Sequence, residues 1–282
     1  MEQIAERKTA VIIVLYNPSA DDILNVRNIA KRYRGVIVDN SEKPFTPYDK
    51  IEKMHYVCNR ANKGIAEAQN TGIRMMMQED TDYFVFFDQD SRTEDDYPSR
   101  IVQAFVKTNA GTPNLAMLGP TVKRKDSGEE YKSAIHKDRY ESSDFILRRD
   151  VISSGSCISA DAIRTVGMND ERLFIDFVDY DWCWRAASKG MVCGITPEVS
   201  IAHKVGQREI RIGRQVVIIS KPFRYFYQYR NYLWLLRRKY VPLQWKIATG
   251  IKFSMRLIYF PLFVKGGCEC WKNMIKGIAK GL

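Results

Sequence analysis

Long apolar runs are missing from this 282-residue sequence. None reaches the ~18 residues that a membrane-spanning helix needs, and residues 1–9 are too polar to contain the apolar core of a signal peptide. The six cysteines are scattered, without a Cys-x-x-Cys pair or the spacing of a zinc site. These absences give no support to a membrane-spanning, secreted or zinc-binding protein. They favour a cytoplasmic protein with reduced thiols.

Positive charge is abundant, but it is concentrated at one end of the chain. The net charge is +11, yet residues 203–282 carry +15 and residues 1–202 carry −4. Beyond residue 221, arginine and lysine are interleaved with many aromatic and aliphatic residues. We therefore predict two parts, a domain of residues 1–220 and a helical extension of residues 221–282.

Three explanations fit the basic, aromatic extension. Helices of this composition bind the surface of an anionic bilayer, pack against another subunit or the protein's own core, or stack on single-stranded nucleic acid. The high aliphatic content, with basic residues flanking apolar blocks, favours the membrane surface. We predict a protein on the inner face of the cytoplasmic membrane that binds no nucleic acid. Its oligomeric state, monomer or homo-oligomer, stays open.

The first 220 residues alternate short apolar runs with helical patterns. Continuous apolar runs, typical of strands buried on both faces, occur at residues 10–15, 36–38, 83–87 and 115–118. The alternation predicts strand–helix–strand units, and hence an α/β fold with a mostly parallel sheet flanked by helices. The predicted elements include a helix that Ser19 can cap, a helix from Thr93 to Lys107 and a last strand from Met191 to Ile195. The polar, weakly periodic stretch from Lys123 to Arg149 predicts an excursion of the chain over the sheet, without an assigned element.

Two carboxylates follow the most aromatic of these strands. Residues 83–87 run without a break into Asp88-Gln89-Asp90. In open α/β sheets, ligands bind beyond the carboxyl ends of the strands, and two acids there are costly to desolvate without a cation. A divalent cation such as Mg²⁺ or Mn²⁺, carrying a phosphorylated ligand, would compensate them. The simpler interpretation is a solvated acidic turn.

A segment with small residues, 59–73, opens with polar turn residues and continues as a helix. Its small side chains, among them Ala66, Ala68 and Gly72, permit close approach to the sheet or to a ligand. A glycine at the helix start, Gly64, is one way to cradle a phosphate. However, the spacing matches neither the P-loop nor the dinucleotide fingerprint, and close helix packing is the simpler explanation.

Three more acids, Asp176, Asp179 and Asp181, lie in an aromatic run. A helix beginning near Trp182 would place Asp179 close to its N-terminus, where the helix dipole favours a carboxylate. Asp179 could equally be a simple helix cap. Asp181 lies four residues before Arg185, a spacing that predicts an ion pair within the helix.

The order of several motifs resembles glycosyltransferase family 2, whose members are inverting enzymes of the GT-A fold. The resemblance covers residues 10–203 and is closest to the bacterial rhamnosyltransferases that use dTDP-rhamnose. Its matching segments are Ile-Ile-Val-Leu-Tyr-Asn at 12–17, Asp39 in Val-Ile-Val-Asp-Asn-Ser, Asn62-Lys63-Gly64-Ile65-Ala66 with Asn70 and Gly72, Asp88-Gln89-Asp90, Asp179-Tyr180-Asp181-Trp182 with Arg185, and His203.

The resemblance implies roles for these residues. Asp179 would be the general base, and Asp88, Asp90 and His203 would bind Mn²⁺ or Mg²⁺. Val178 stands where many family members have Glu, so the base assignment depends on Asp179 alone. The residues implied to contact the nucleotide sugar are Tyr16, Asn17, Asp39, Asn62, Lys63, Gly64, Asn70, Asp88 and Gln89.

The implied reaction is the transfer of L-rhamnose from dTDP-β-L-rhamnose, with inversion, to a saccharide or polyprenyl-linked acceptor in bacterial cell-surface polysaccharide synthesis. A UDP-hexose donor is an alternative. A nucleotidyltransferase would share the sheet and the acid pair, but it usually has a basic, Gly-rich loop where this sequence has Tyr16-Asn17-Pro18. A nucleic-acid-binding protein without catalysis would leave the acids without a purpose.

Overall fold

A mixed β-sheet forms the centre of the protein. The computed structural model describes residues 8–44, 53–124, 139–142, 144–203, 208–212 and 215–282, without the side chains at 124, 139–142, 202–203, 208–212 and 215–218. The described strands are β1 (Thr9–Leu15), β2 (Gly35–Asp39), β3 (Met54–Cys58), β4 (Tyr83–Asp88), β5 (Leu115–Arg124), β6 (Arg139–Ser142), β7 (Phe145–Leu147), β8 (Cys157–Ser159), β9 (Val192–His203), β10 (Arg208–Ile212) and β11 (Gln215–Ile219). Nine of them form one sheet in the order β3-β2-β1-β4-β8-β5-β9-β7-β6, and β10 pairs with β11 separately.

Helices cover both faces of this sheet. The helices of the described part of the chain, including those of the C-terminal region, are α1 (Ala20–Ala30), α2 (Gly64–Met76), α3 (Tyr97–Gly111), α4 (Ala160–Val166), α5 (Val178–Ser188), α6 (Pro222–Leu236), α7 (Leu243–Phe263) and α8 (Gly267–Gly281), with a 3₁₀ turn at Glu171–Leu173. The predicted cap of α1 is present, because Ser19 and Asp22 exchange side-chain-to-backbone hydrogen bonds.

Strand β1 lies between two helical layers, which explains its continuous apolar run. All seven of its residues are buried. Ala10, Ile12 and Val14 face the core shared with α2, α4 and α5, whereas Val11 and Ile13 face the core shared with α1 and α3. A strand between two helical layers has no polar face. The predicted α/β architecture, a central sheet flanked by helices, is confirmed.

Four adjacent strands, β3, β2, β1 and β4, run parallel to one another. In this half of the sheet the carboxyl ends lie together, because Leu15 pairs with Asp39 and Val14 pairs with Asp88. Strand spacing places Asp39 and Asp88 about 10 Å apart, on either side of the end of β1. Beyond β4 the sheet is mixed, since β8 runs antiparallel to both β4 and β5.

Element boundaries differ from the sequence prediction in three places. The helix predicted from Thr93 begins at Tyr97, and the helix predicted from Trp182 begins at Val178. The strand predicted at residues 191–195 is longer than expected and continues to His203 as β9. Of the segment 123–149, residues 125–138 and 143 lie outside the described structure, and the rest contributes β6 and β7 at the sheet edge.

The C-terminal helices predicted from the aromatic tail are confirmed. Helices α6, α7 and α8 share a core of their own, which includes Tyr229, Phe253 and Met274. α8 approaches α6 closely at Gly277, where a Cβ atom would lie 2.4 Å from the carbonyl oxygen of Phe226. Within the described ranges, no helix combines the length and apolarity that crossing a bilayer requires.

Candidate active site

The acid pair lies in a turn at the carboxyl end of β4. Asp88 is the last residue of the strand, and its amide and carbonyl groups bond to Ser91 Oγ (3.2 Å) and Ser91 N (3.1 Å). This turn leaves Asp90 exposed and Asp88 half-buried. Both carboxylates therefore lie at the sheet edge where ligands of α/β proteins bind.

Gln89 links this turn to the loop that follows β1 through a hydrogen bond. Its Oε1 accepts a hydrogen bond from the amide of Tyr16 at 2.7 Å. The next amide, that of Asn17, donates to Ser41 Oγ at 2.7 Å, and Asn17 adopts the left-handed conformation with φ of +47°. The ends of β1, β2 and β4 are thus joined by side-chain contacts, and the exposed Tyr16 and Asn17 lie between the two acidic strand ends.

Asp39 ends β2 and is fully buried. Its Oδ1 accepts from the amide of Ser41 at 2.8 Å, and its Oδ2 accepts from the hydroxyl of Tyr56 at 2.7 Å. Burial, together with this hydrogen bond to the carboxylate, raises the pKa of Tyr56 far above its ordinary value, so the phenol remains a donor. Asp39 thereby holds the loop after β2 against β3.

The start of α2 contacts the chain that leads to Asp179. The amides of Ile65 and Ala66 donate to the carbonyl oxygen of Phe174, at 2.8 and 3.4 Å. Gly64 has φ of +85°, and a Cβ atom there would lie 2.5 Å from the same oxygen. A side chain at position 64 is therefore excluded by strain and by contact.

Other polar residues of this segment have protein partners. Asn62 is exposed and accepts from the amide of Gly64 at 3.0 Å. Lys63 is exposed and pairs with Glu67 at 3.0 Å. Asn70 is buried and bonds to the backbone of Asn169 and to Glu171. Asn70 therefore joins α2 to the 3₁₀ turn that precedes Asp179.

The backbone just before α5 is strained. Phe174, Asp176 and Phe177 have φ of +64°, +63° and +67°, a region that L-residues with large side chains rarely adopt. At Phe174, ψ is −64°, and the amide of Ile175 donates to the carbonyl of Leu173 at 2.7 Å. This is the strained form of the γ-turn. Such conformations persist where the surrounding structure holds them.

Asp179 lies in the first turn of α5 and is half-buried. Its Oδ1 accepts from the amide of Tyr180 at 3.0 Å. The residue lines a 20 Å³ cavity, with room for about one water, whose walls include Phe86, Ser153 and Trp182. Burial raises the pKa of Asp179 to about 6, although backbone amides, including that of Ser153, partly oppose the rise.

Asp181, by contrast, is fully buried and fully compensated. Arg185 Nε lies 2.9 Å from its Oδ2, which confirms the predicted ion pair within the helix. Arg238 Nη1 and the hydroxyl of Tyr240 each lie 2.6 Å from its Oδ1. Asp181 is therefore an internal anchor, with no oxygen directed to a substrate.

Helix α6 contributes a positively charged side chain, Arg224, which binds to the segment before α5. Arg224 bonds to both carboxylate oxygens of Asp176, through Nη2 at 2.6 Å and Nε at 3.1 Å. Burial lowers the pKa of the Arg224 guanidinium, but the bond to Asp176 raises it. The negative charges of Asp179 and Asp88 add to that rise.

A second connection between Asp88 and Asp179 runs through serines. Ser154 Oγ lies 2.7 Å from Ser91 Oγ, in the turn that begins at Asp88. The neighbouring residue, Ser153, donates its amide toward Asp179. The structure therefore brings Asp88 and Asp179 to one region, although they come from β4 and α5.

The remaining predicted metal ligand, His203, ends β9, and its side chain lies outside the described structure. Among the residues whose side chains are described, no group of three or more His, Cys, Asp or Glu residues is arranged to hold a metal ion. Of the three predicted ligands, the structure thus describes the side chains of Asp88 and Asp90.

Sequence reasoning missed Arg224, Asp176 as its partner, and Tyr56 as the partner of Asp39. Asp176 was visible as the first of three acids in one run, which was a usable signal. Arg224 had none, because it lies 48 residues from Asp176 among many similar basic residues.

Comparison with known proteins agrees with this arrangement. The family model described as Glycosyl transferase family 2 matches residues 10–167. The chain is also 32% identical, over 286 residues, to a protein of Shigella flexneri named dTDP-rhamnosyl transferase RfbF. That alignment covers 96% of this chain and 94% of the relative.

Solved structures show the same fold at low identity. The Staphylococcus aureus TarS fragment 1–349, in complex with UDP-GlcNAc, has a TM-score of 0.58 at 14% identity, covering 96% of this chain and 81% of that one. GalNAc-T7 with UDP, GalNAc and Mn²⁺ has a TM-score of 0.52 at 11% identity and 70% coverage of this chain. This chain spans 44% of the length of the GalNAc-T7 structure.

Proposed function

The chain belongs to glycosyltransferase family 2 and uses a nucleotide-sugar donor, and from this premise we propose that it transfers L-rhamnose from dTDP-β-L-rhamnose, with inversion, to a lipid-linked saccharide in bacterial cell-surface polysaccharide synthesis. The observation that carries the mechanism is Asp179, a half-buried carboxylate whose pKa is raised to about 6 in the region of Asp88. The donor is supported by the relative named as a dTDP-rhamnosyl transferase.

Asp179 is the proposed general base. With its pKa raised to about 6, it is ionised at neutral pH and still basic enough to accept a proton in the transition state. The acceptor hydroxyl gives its proton to this carboxylate while the acceptor oxygen forms a bond to the anomeric carbon. The bond from that carbon to the diphosphate breaks in the same step, and the nucleoside diphosphate leaves with the electron pair. One displacement inverts the configuration and needs no protein nucleophile.

Asp88 and Asp90 are the proposed ligands of Mg²⁺ or Mn²⁺, together with His203. Carboxylate oxygens suit these hard cations, and such sites are commonly completed by substrate phosphates and water, so two adjacent carboxylates fit. When bound, the cation would neutralise the charge that develops on the leaving diphosphate. Arg224, whose charged form the carboxylate of Asp88 helps to stabilise, would supply a second positive charge.

The nucleotide is proposed to bind across the ends of β1 and β2. The exposed Tyr16, Asn17, Asn62 and Lys63 are available to it there, and Gly64 and Gln89 lie beside them. Asn70 is buried, so we propose that it acts by holding α2 in place. Because both oxygens of Asp39 accept bonds from Ser41 and Tyr56, we assign it a supporting role in reading the pyrimidine base.

We also propose that residues 221–282 hold the enzyme against the inner face of the cytoplasmic membrane. The outward face of α7 consists of apolar residues spaced three or four apart, each 54–70% exposed: Leu243, Ile247, Ile251, Met255, Ile258 and Leu262. Exposed lysines of α8, Lys272, Lys276 and Lys280, supply positive charge nearby. An apolar helix face with basic surroundings suits the interface of an anionic bilayer.

The decisive experiment is a donor screen with the purified enzyme. dTDP-rhamnose, UDP-glucose, UDP-galactose and UDP-GlcNAc are each supplied with Mg²⁺, with Mn²⁺ or with EDTA, and release of nucleoside diphosphate is measured. We expect turnover with dTDP-rhamnose and either cation, and none with EDTA. Preference for a UDP-hexose would overturn the proposed donor, and full activity in EDTA would overturn the metal.

Asp179→Asn tests the base in the same assay. The variant should bind donor with unchanged affinity and lose kcat by about two to four orders of magnitude. Asp161→Asn is the matched control, because Asp161 is exposed on α4 and pairs only with Arg164 among the contacts described. An active Asp179→Asn enzyme would show that another group accepts the proton.

A further inference from the structure

Helix α6 contributes none of the proposed catalytic acids. However, it binds the backbone of the segment just before α5, which leads to Asp179. The Asn231 side chain is fully buried, and its Nδ2 donates to the carbonyls of Leu173 (2.8 Å), Ile175 (2.8 Å) and Asp176 (3.1 Å). Arg230 Nη2 donates to the Leu173 carbonyl as well, at 3.2 Å. These bonds run from one turn of α6 to the strained backbone before α5.

The opposite side of this segment is held by the start of α2, through the Phe174 carbonyl. Tyr227 of α6 stacks on the ring of Phe174, with centroids 4.4 Å apart. A strained backbone held from two sides has little freedom to relax. The position of Asp179, which follows directly, is therefore determined in part by α6.

An ion pair also joins this segment to α6. Asp176 lies three residues before Asp179, and its side chain is 9% exposed. It is bonded to Arg224 through both oxygens and to Gln228 Nε2 at 3.4 Å. The negative charges of Asp179 and Asp88 also favour the charged form of Arg224. One anion and one cation of opposite effect therefore act on the same carboxylate.

We propose that Arg224 on α6 and Asp176, which precedes α5, are positioning residues of this enzyme, an ion pair that holds Asp179 in place and sets its affinity for the proton. The proposal deepens the assignment of Asp179 as the general base, on which it rests. It gives the C-terminal helices a part in catalysis that is separate from membrane binding.

The other groups that face Asp179 are few in the described structure. The amides of Tyr180 and Ser153 donate toward it, and they lower its pKa. Asp176 raises its pKa through charge repulsion, after the larger effect of burial. Cys183, one helical turn along α5, has a pKa raised by its contact with Cys193 and by burial, with a smaller contribution from the charge of Asp179, so it remains a neutral thiol.

Substitution of either member of the pair should therefore move the pKa of Asp179 in opposite directions. Asp176→Asn removes a repelling charge and leaves Arg224 without its partner, so the pKa should fall. Arg224→Gln removes the attracting charge and leaves Asp176 without its partner, so the pKa should rise. Each change should be about one pH unit, which is the order of the effect of a neighbouring charge on a carboxyl pKa.

The test measures two quantities on each full-length variant. The Asp179 carboxyl is titrated by ¹³C NMR of aspartate-labelled protein, with its signal assigned by its loss in Asp179→Asn. The acid limb of kcat/KM against pH is recorded with the same samples. Arg224→Lys keeps the charge and should stay close to wild type. Arg164→Gln breaks an exposed ion pair on α4 and is the matched control.

Opposite movements of the Asp179 titration in Asp176→Asn and Arg224→Gln, with Arg164→Gln unchanged, would support the proposal. A merely structural pair would be broken equally by both substitutions, so movement in one common direction, or none, would overturn it. The titration does not depend on turnover. If it moves as expected while Asp179→Asn remains active, the charge pair stands and the assignment of the base fails.

Discussion

Arg238 Nη1 lies 2.6 Å from Oδ1 of Asp181, and the two residues are 57 positions apart in the chain. Asp181 is fully buried on α5, and Arg238 follows α6. The same guanidinium also bonds to Asp170, beside the 3₁₀ turn. The C-terminal region therefore completes the charge balance inside the domain that carries the proposed base.

Substitution of Arg238 by methionine should destabilise the whole protein. The change leaves Asp181 with a single cationic partner, Arg185, although the carboxylate remains buried. Breaking a buried ion pair from one side costs about 3–5 kcal/mol, so the urea midpoint should fall sharply. Arg164→Met, at an exposed pair, should cost no more than about 1 kcal/mol. Equal midpoints for the two variants would contradict this account.

Substitution of Gly64 by alanine should lower both stability and kcat. Position 64 has φ of +85°, and the new Cβ atom would lie 2.5 Å from the Phe174 carbonyl oxygen. Strain of this kind costs about 1–3 kcal/mol, and it acts on the segment that positions Asp179. Gly111→Ala is the control, because nothing lies within 4 Å of a Cβ atom there. That variant should be neutral or slightly more stable, as thermal melting will show.

Local sequence signals predicted much of this structure. Continuous apolar runs predicted the buried strands β1 and β4, and the residues after β4 were placed correctly at the carboxyl edge of the sheet. The spacing of Asp181 and Arg185 predicted their ion pair. In each case the relevant interaction lies within one element or at its end, where periodicity and residue type carry the information.

The contacts between distant elements could not be predicted in this way. Arg224 meets Asp176 across 48 residues, and Arg238 meets Asp181 across 57. Both arginines lie in a tail where basic residues recur every few positions, so the sequence does not distinguish an internal partner from a membrane-facing charge. That distinction depends on how α6 packs against the segment before α5.

The raised pKa of Asp179 should lower the free energy of unfolding at neutral pH. Its pKa is about 6 in the folded protein, against an ordinary value of 3.8. The folded state thus holds the proton more tightly, so the contribution to stability is present below pH 3.8 and is lost as the pH rises through 6. Asp179→Asn should therefore gain stability relative to wild type between about pH 4 and 6, by roughly 2–3 kcal/mol. Urea unfolding at pH 4 and 7.5 measures this gain, and a constant difference between the proteins would contradict it.

The apolar face of α7 should be needed for membrane binding and not for folding. Ile251 and Ile258 are 59% and 68% exposed there, and each Ile buried in a bilayer contributes about 1.5–3 kcal/mol. The double substitution Ile251→Gln, Ile258→Gln should weaken binding to anionic vesicles at least about tenfold, measured by co-sedimentation, and leave the urea midpoint unchanged. Leu24→Gln, at a 60% exposed position on α1, is the matched control. Point substitutions are required because removal of residues 221–282 would also remove Arg224 and Arg238. If vesicle binding persists and the double variant instead changes the sedimentation coefficient, the face is a contact between subunits and the membrane proposal is wrong.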